Sequence, residues 1–171
     1  TKVQYVSQET FNDRIQRLRP MHGDTVYSRE GGILGVACQI PANVELCLGQ
    51  RMMLMRCGDG LKGTLLTYWL NSPVITAIVK QQTSGSASPH LNVRDIKAFP
   101  TPVPPVAEQH EIVRRVDDLF AFADALEARV ATAQAQVNRL TPSLLRKAFR
   151  GELVPQDPND EPATELLKRI L

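Results

Sequence analysis

EQHEIVRRVDDLFAFADALEARVATAQAQVNRLTPSL, residues 108–144, holds the strongest regularity in the chain. Ile112, Val116, Leu119, Ala123, Leu126, Val130, Ala133, Val137, Leu140 and Leu144 recur at alternating spacings of four and three, an unbroken heptad seam. That pattern predicts one amphipathic helix. Pro105 suits its first turn, Glu108 and Glu111 favour its positive end, and Pro142 is expected to end or kink it. A helix of about 34 residues is roughly 50 Å long, whereas a globule of about 100 residues is only about 30 Å across. The stripe therefore calls for a partner helix. Ala123 and Ala133 would let two backbones approach closely, and Phe120 and Phe122 widen the apolar face. The alternative is a local bundle with the C-terminal helices, and the heptads do not fix whether a partner runs parallel or antiparallel.

Upstream of the seam the chain changes character at FPTPVPP, residues 99–105, which holds four of the twelve prolines and predicts a rigid extended connector. Residues 1–100 carry 11 Lys+Arg against 7 Asp+Glu, while residues 101–171 carry 9 against 11, so the basic surplus belongs to the first part. There, SQETFNDRIQRL (7–18) reads as a helix capped by Ser7. The apolar runs ILGVACQI (33–40), VELCL (44–48) and RMMLMRC (51–57) read as strands between Gly, Pro and Asn breaks. A helix is expected over about Thr64 to Asn71, and Ser72-Pro73 supplies the cap and first-turn proline of another running to about Gln82. QQTSGSASPH (81–90) reads as a loop. Beyond Pro142, SLLRKAFR (143–150) predicts a short helix stopped by Gly151, and EPATELLKRIL (161–171) a last one, both expected to pack on the long helix. The result is an α+β architecture in three parts: a small mixed domain over 1–103, the heptad helix over 104–141 and a helical tail over 142–171.

The whole chain of 171 residues is 43% hydrophobic and 22% charged, with a formal net charge of +2, an ordinary globular composition. No run of about 18 apolar residues and no secretory leader is readable, so no membrane association and a cytoplasmic location are expected. The chain begins at Thr1 without an initiator Met and is expected to be a processed or excised piece. Cys38, Cys47 and Cys57 are odd in number and lack paired metal-ligand spacing, which suits buried free thiols.

Catalytic patterns are lacking: no phosphate loop, GxGxxG, HExxH or GxSxG occurs. GGILG (31–35) has no Lys and reads as a turn, Asp95-Ile96-Lys97 lacks the second carboxylate of a nuclease site, and His22, His90 and His110 are scattered. The chain alone is expected not to be an enzyme and to need no cofactor or metal. Binding remains. SREGGILG (28–35) and KQQTSGSASPHLNVR (80–94) present Arg29, Lys80, Gln81, Gln82, Ser84, Ser86, His90 and Arg94. Arg and Gln side chains make paired hydrogen bonds to guanine and adenine edges, and small hydroxyls suit close approach to phosphates. Plain solvated turns would have the same composition. Arg146, Lys147 and Arg150 form a small basic cluster that reads as a solvated face.

Several segments in order, YVSQETFNDR (5–14), GDTVYSREGGILGVACQIP (23–41), TSGSASPHLNVRDIKAFPTPVPPVAEQHEIVRRVDDL (83–119) and SLLRKAFRGELVPQDPNDEPATELLKRI (143–170), resemble the DNA-sequence specificity subunit of type I restriction-modification systems. PPVAEQ (104–109) followed by a heptad helix and KAFRGELVPQDP is the most specific combination. The resemblance implies a target recognition domain reading one half of a split duplex DNA target, and a helix pairing antiparallel with another to set the distance between halves. It also implies two partners, a methyltransferase subunit using S-adenosylmethionine and a restriction subunit using ATP, with neither cofactor bound here. A complete subunit of that family has two such domains and helices. With one of each, this chain is expected to be either the C-terminal piece of a full subunit or a shortened half-subunit, with its first domain incomplete at the N-terminus. The seam then predicts self-association, and a twofold pair would bind an inverted repeat. DNA contacts are assigned by loop chemistry alone to Arg29, Lys80, Gln81, Ser84, Ser86, His90 and Arg94, and helix pairing to Ile112, Val116, Leu119, Ala123, Leu126, Val130, Ala133, Val137 and Leu140.

Overall fold

A computed structural model describes residues 4–84, 89–155, 157 and 159–171. Ser7 caps the first helix, α1 (Gln8–Ile15), its hydroxyl accepting from Thr10 N at 3.2 Å, with Glu9 in the first turn and Arg14 in the last. A three-stranded antiparallel sheet follows, built from β1 (Thr25–Ser28), β2 (Ala37–Gln39) and β3 (Met52–Met55) in the order β2-β1-β3. Val26 faces Cys38 on one side and Leu54 on the other, and Tyr27 faces Ala37 and Met53.

The sheet differs from expectation in two places. Its central strand, TVYS, is one that apolar runs do not reveal, because half of its residues are polar. All four are nonetheless buried, and the Thr25 hydroxyl is satisfied by that of Thr67 at 3.0 Å. VELCL (44–48), expected as a strand, is not one. β2 and β3 flank the same strand on opposite edges, so the chain between them must cross over, and VELCL is part of that crossing. Its last residue, Leu48, lines a pocket beside Met52 and Leu54.

Against one sheet face pack α2 (Gly63–Leu70) and α3 (Pro73–Thr83), with Ser72 capping α3 ahead of its first-turn proline as expected. The core is Tyr27, Ala37, Leu66, Leu70, Ile75, Val79, Leu91, Ile96 and Phe99, with Phe99 meeting Tyr27 edge to face at 6.3 Å. Ile96 comes from α4 (Val93–Lys97), one turn for which the sequence pattern predicts no element. On the outer edge of β2 the Asn71 amide pairs with both backbone groups of Ala37, accepting from its N at 2.9 Å and donating to its O at 2.9 Å.

The connector carries no helix or strand over residues 100–105, and Trp69 Nε1 donates to Pro100 O at 2.7 Å. Then α5 (Val106–Phe149) begins. Its first turns are fastened by Gln109, which is 1% exposed. Gln109 Oε1 accepts from Lys62 N at 2.8 Å, and Nε2 donates to Gly60 O and Pro104 O, each at 2.8 Å. Val113 is buried beside it, and Ile112 and Val116 are half-buried.

The contacts divide the chain into a unit ending at Asp117 and another, Asp118–Leu171. Within the second, every described residue is exposed, including Leu119 at 67%, Val130 at 67% and Leu140 at 57%. Three expectations change here. α5 does not stop at Pro142, which lies inside the helix, so its 44 residues include SLLRKAF rather than leaving it separate. A proline in mid-helix removes the bond to the carbonyl four residues earlier, and on a solvated helix water can take that place. The tail helix, α6 (Ala163–Ile170), leaves Leu166, Leu167 and Ile170 exposed, so none of the described residues 159–171 is buried by the expected packing on the long helix. No described helix is long and apolar enough to cross a membrane.

Candidate nucleic-acid interface

At the ends of β1 and β3 three segments are laced together by main-chain bonds. Arg29 N donates to Arg51 O at 3.0 Å, Leu91 N donates to Arg29 O at 2.8 Å, and Glu30 pairs with His90 in an isolated antiparallel bridge. The strand pairing of Ser28 with Met52 thus continues one step and sets two arginines side by side. Like charges so placed repel. The conflict is relieved on one of them only: the Arg29 guanidinium donates to Gln50 O from Nε at 3.2 Å and Nη2 at 3.0 Å, and lies 2.9 Å from Glu30. Arg29 is therefore occupied inside the fold. Arg51 is exposed and makes no side-chain hydrogen bond or ion pair among the described residues.

Arg51 lies over a pocket of about 290 Å³ whose other walls are Glu30, Gly31, Pro89 and His90. On the far side of the turn at 49–51, a larger pocket of about 470 Å³ has an apolar floor of Leu48, Met52 and Leu54 and a rim carrying Arg14 and Arg17, both exposed. Three arginines and a histidine, from α1, the segment just after it, the β3 approach and residues 89–90, thus flank one turn, with Glu30 beside them. Such a surface can neutralise phosphates while offering apolar and amide groups to base edges.

Of the residues singled out from sequence, Arg29 and His90 are brought together at this junction. Lys80 and Gln81 stand exposed on the last turns of α3, where Ser84 is its C-terminal cap, and Arg94 is exposed on α4. Ser86 lies outside the described residues. Arg51, Gln50, Arg14 and Arg17 are additions that the sequence reading passed over. The signal for Arg51 is its position just before an apolar strand, but using it requires knowing that TVYS is the partner strand.

Local pairs shift the ionisation of three groups, Asp24, Tyr68 and Glu111. Asp24, buried next to β1, accepts from Arg56 Nε and Nη2, each at 2.7 Å, and from Met21 N at 2.8 Å, and the arginine holds its carboxyl below the ordinary range. Tyr68 on α2 hydrogen-bonds Asp117 on α5, and chiefly for that reason its hydroxyl is pushed up to about 12. Glu111 is drawn down to about 2 by Arg114 and Arg115 on the following turn. Among the described residues no group of three or more His, Cys, Asp or Glu could hold a metal ion.

The type I restriction modification DNA specificity domain matches residues 22–134, from the turn before β1 into the exposed part of α5. Over 91 residues the chain is 50% identical to the type I restriction enzyme EcoBI specificity subunit of Escherichia coli, covering 53% of this chain and 19% of that protein. It is 34% identical over 155 residues to the EcoKI specificity subunit of Escherichia coli strain K12, covering 86% of this chain and 33% of that protein. The chain therefore spans about a fifth to a third of these relatives' length. A solved chain described under complex assembly and conformational transition of the type I R-M system superposes with a TM-score of 0.63 at 29% identity, covering 79% of this chain and 32% of that one. With two thirds of its residues inside the match and a solved relative superposing over 79% of it, the chain belongs to the type I restriction modification DNA specificity domain family.

Proposed function

We propose that this chain is a non-catalytic DNA-recognition and assembly piece of a type I restriction-modification enzyme. Residues 1–103 read one half of a bipartite duplex target, and the heptad helix pairs with a second helix to set the spacing between halves. The partners are duplex DNA, the methyltransferase and restriction subunits, and a second copy of this chain when no other helix is present. The observation that carries the reading is the family match over residues 22–134, which takes in Arg51 and His90 at the junction and the seam as far as Ala133. The exposed stripe from Leu119 to Leu144 supports the assembly half, because monomeric soluble proteins rarely leave so long an apolar face to water. Lys80, Gln81, Ser84, Ser86, His90 and Arg94 remain the proposed DNA contacts on α3, α4 and the segment between them.

Titration of the purified chain against duplex DNA at two salt concentrations tests the recognition half. The expected result is sequence-preferring binding that weakens steeply with salt, about a hundredfold between 50 and 200 mM for four or so phosphate contacts. Stable capture of a methyltransferase subunit, with no cleavage or methylation by the chain alone, is expected alongside. Capture without duplex binding at low salt would leave a coiled-coil assembly module and refute the recognition half.

A further inference from the structure

The loop joining β1 to β2 presents a feature that the cationic junction does not absorb. Gly31 and Gly35 bracket its tip at φ of 99° and 77°, in the left-handed region that glycine alone enters without strain. Between them Leu34 turns inward and packs against the core, while Ile33 turns outward and is 72% exposed. The return leg is pinned, since a Cβ at Gly35 would lie 3.1 Å from Val79 Cγ1 on α3. Ile33 is therefore held outside by a braced turn. The outgoing leg runs beside Arg51, whose guanidinium would meet a Cβ at Gly31 at 3.7 Å.

We propose that this hairpin tip enters a groove of the duplex, with Ile33 contacting an apolar base edge, the methyl of thymine, and Arg51 holding a neighbouring phosphate. The inference rests on the DNA-recognition reading above and adds to it the two side chains that divide the work. A phosphate contact positions the protein on any sequence, whereas an apolar contact to a thymine methyl carries sequence information. Charge favours DNA over a protein partner as the occupant, for Arg51 stands exposed beside the tip and the basic surplus lies in this part of the chain. One isoleucine on a narrow loop also offers far less surface than the roughly 800 Å² per partner of a stable protein interface.

The test uses the full 171-residue chain, a duplex target selected from random sequence with the wild type, and the same duplex with uracil replacing each thymine in turn. Arg51→Gln is expected to weaken all duplexes alike and to lower the slope of log affinity against log salt by about 0.9. Ile33→Ala is expected to leave that slope unchanged and to lose about tenfold at one thymine position, where uracil costs the wild type the same factor and costs the variant nothing further. Ile33→Val retains most of the preference. Both sites are exposed, and unchanged thermal melts establish that the variants fold. If the wild type prefers one target and both variants match it, the tip assignment fails while the recognition reading stands. If Ile33→Ala impairs only methyltransferase capture, the tip belongs to a protein interface and the proposal is overturned. If the wild type binds no duplex at low salt, the recognition reading falls and the tip assignment with it.

Discussion

Gln109 shows how one side chain can join a helix to the loops beside it. Its amide satisfies Lys62 N, Gly60 O and Pro104 O at 2.8 Å each, in a site from which water is excluded. Gln109→Glu keeps the shape but turns a carboxylate oxygen toward two carbonyls, so it is expected to cost about 3 kcal/mol or more at neutral pH, read from the urea midpoint. Asp24 is the other single residue whose removal should be felt. Its carboxyl is held below the ordinary range by Arg56, so its folded pKa lies under its unfolded value of about 3.9. The stability it contributes is complete above that unfolded value and is lost as pH falls through the folded one. Asp24→Asn is expected to cost roughly 1–3 kcal/mol at pH 7 and to flatten the loss of stability on acidification, checked by urea unfolding between pH 7 and pH 3. The identity of the outward arginine was not legible from sequence: Arg29 and Arg51 look alike until the β1–β3 register assigns Arg29 to Gln50 O and Glu30 and leaves Arg51 exposed.

Elements announced by caps and periodicity are the ones that sequence reading finds. Ser7, Ser72-Pro73 and the heptads each mark a helix by a local mechanism, and all three helices form. β1 and VELCL fail for the same reason in opposite directions, because burial in a sheet is decided by neighbours far along the chain rather than by local hydrophobicity. Pro142 shows a breaker overruled, with helix formers on either side and solvent around it. Pro142→Ala restores a donor for the carbonyl of Asn138 and is expected to favour the helix by up to about 3 kcal/mol locally, seen as slower amide exchange over residues 138–149. Leu126, 41% exposed, lies mid-seam. Leu126→Asp is expected to cost an associated helix several kcal/mol and to shift the molecular mass by light scattering to that of a single chain. An unchanged oligomer would refute helix pairing through this seam.

On the scale of the whole molecule, two different solvents for apolar surface are in play. The first unit buries its own core around Tyr27 and Ile75, and the second leaves its stripe to water. A helix of 44 residues is about 66 Å long, on the order of two turns of duplex, which is the scale on which two half-sites on one face of DNA are separated. Exposed heptads also raise the hazard of indiscriminate association, and the sheet handles its own share of that hazard differently. Because the Asn71 amide occupies both outward main-chain groups of Ala37, the first residue of β2, that end of the strand's edge offers no free rung on which a stray extended peptide could build. Fibrous growth along that border of the sheet is thereby hindered where β2 begins.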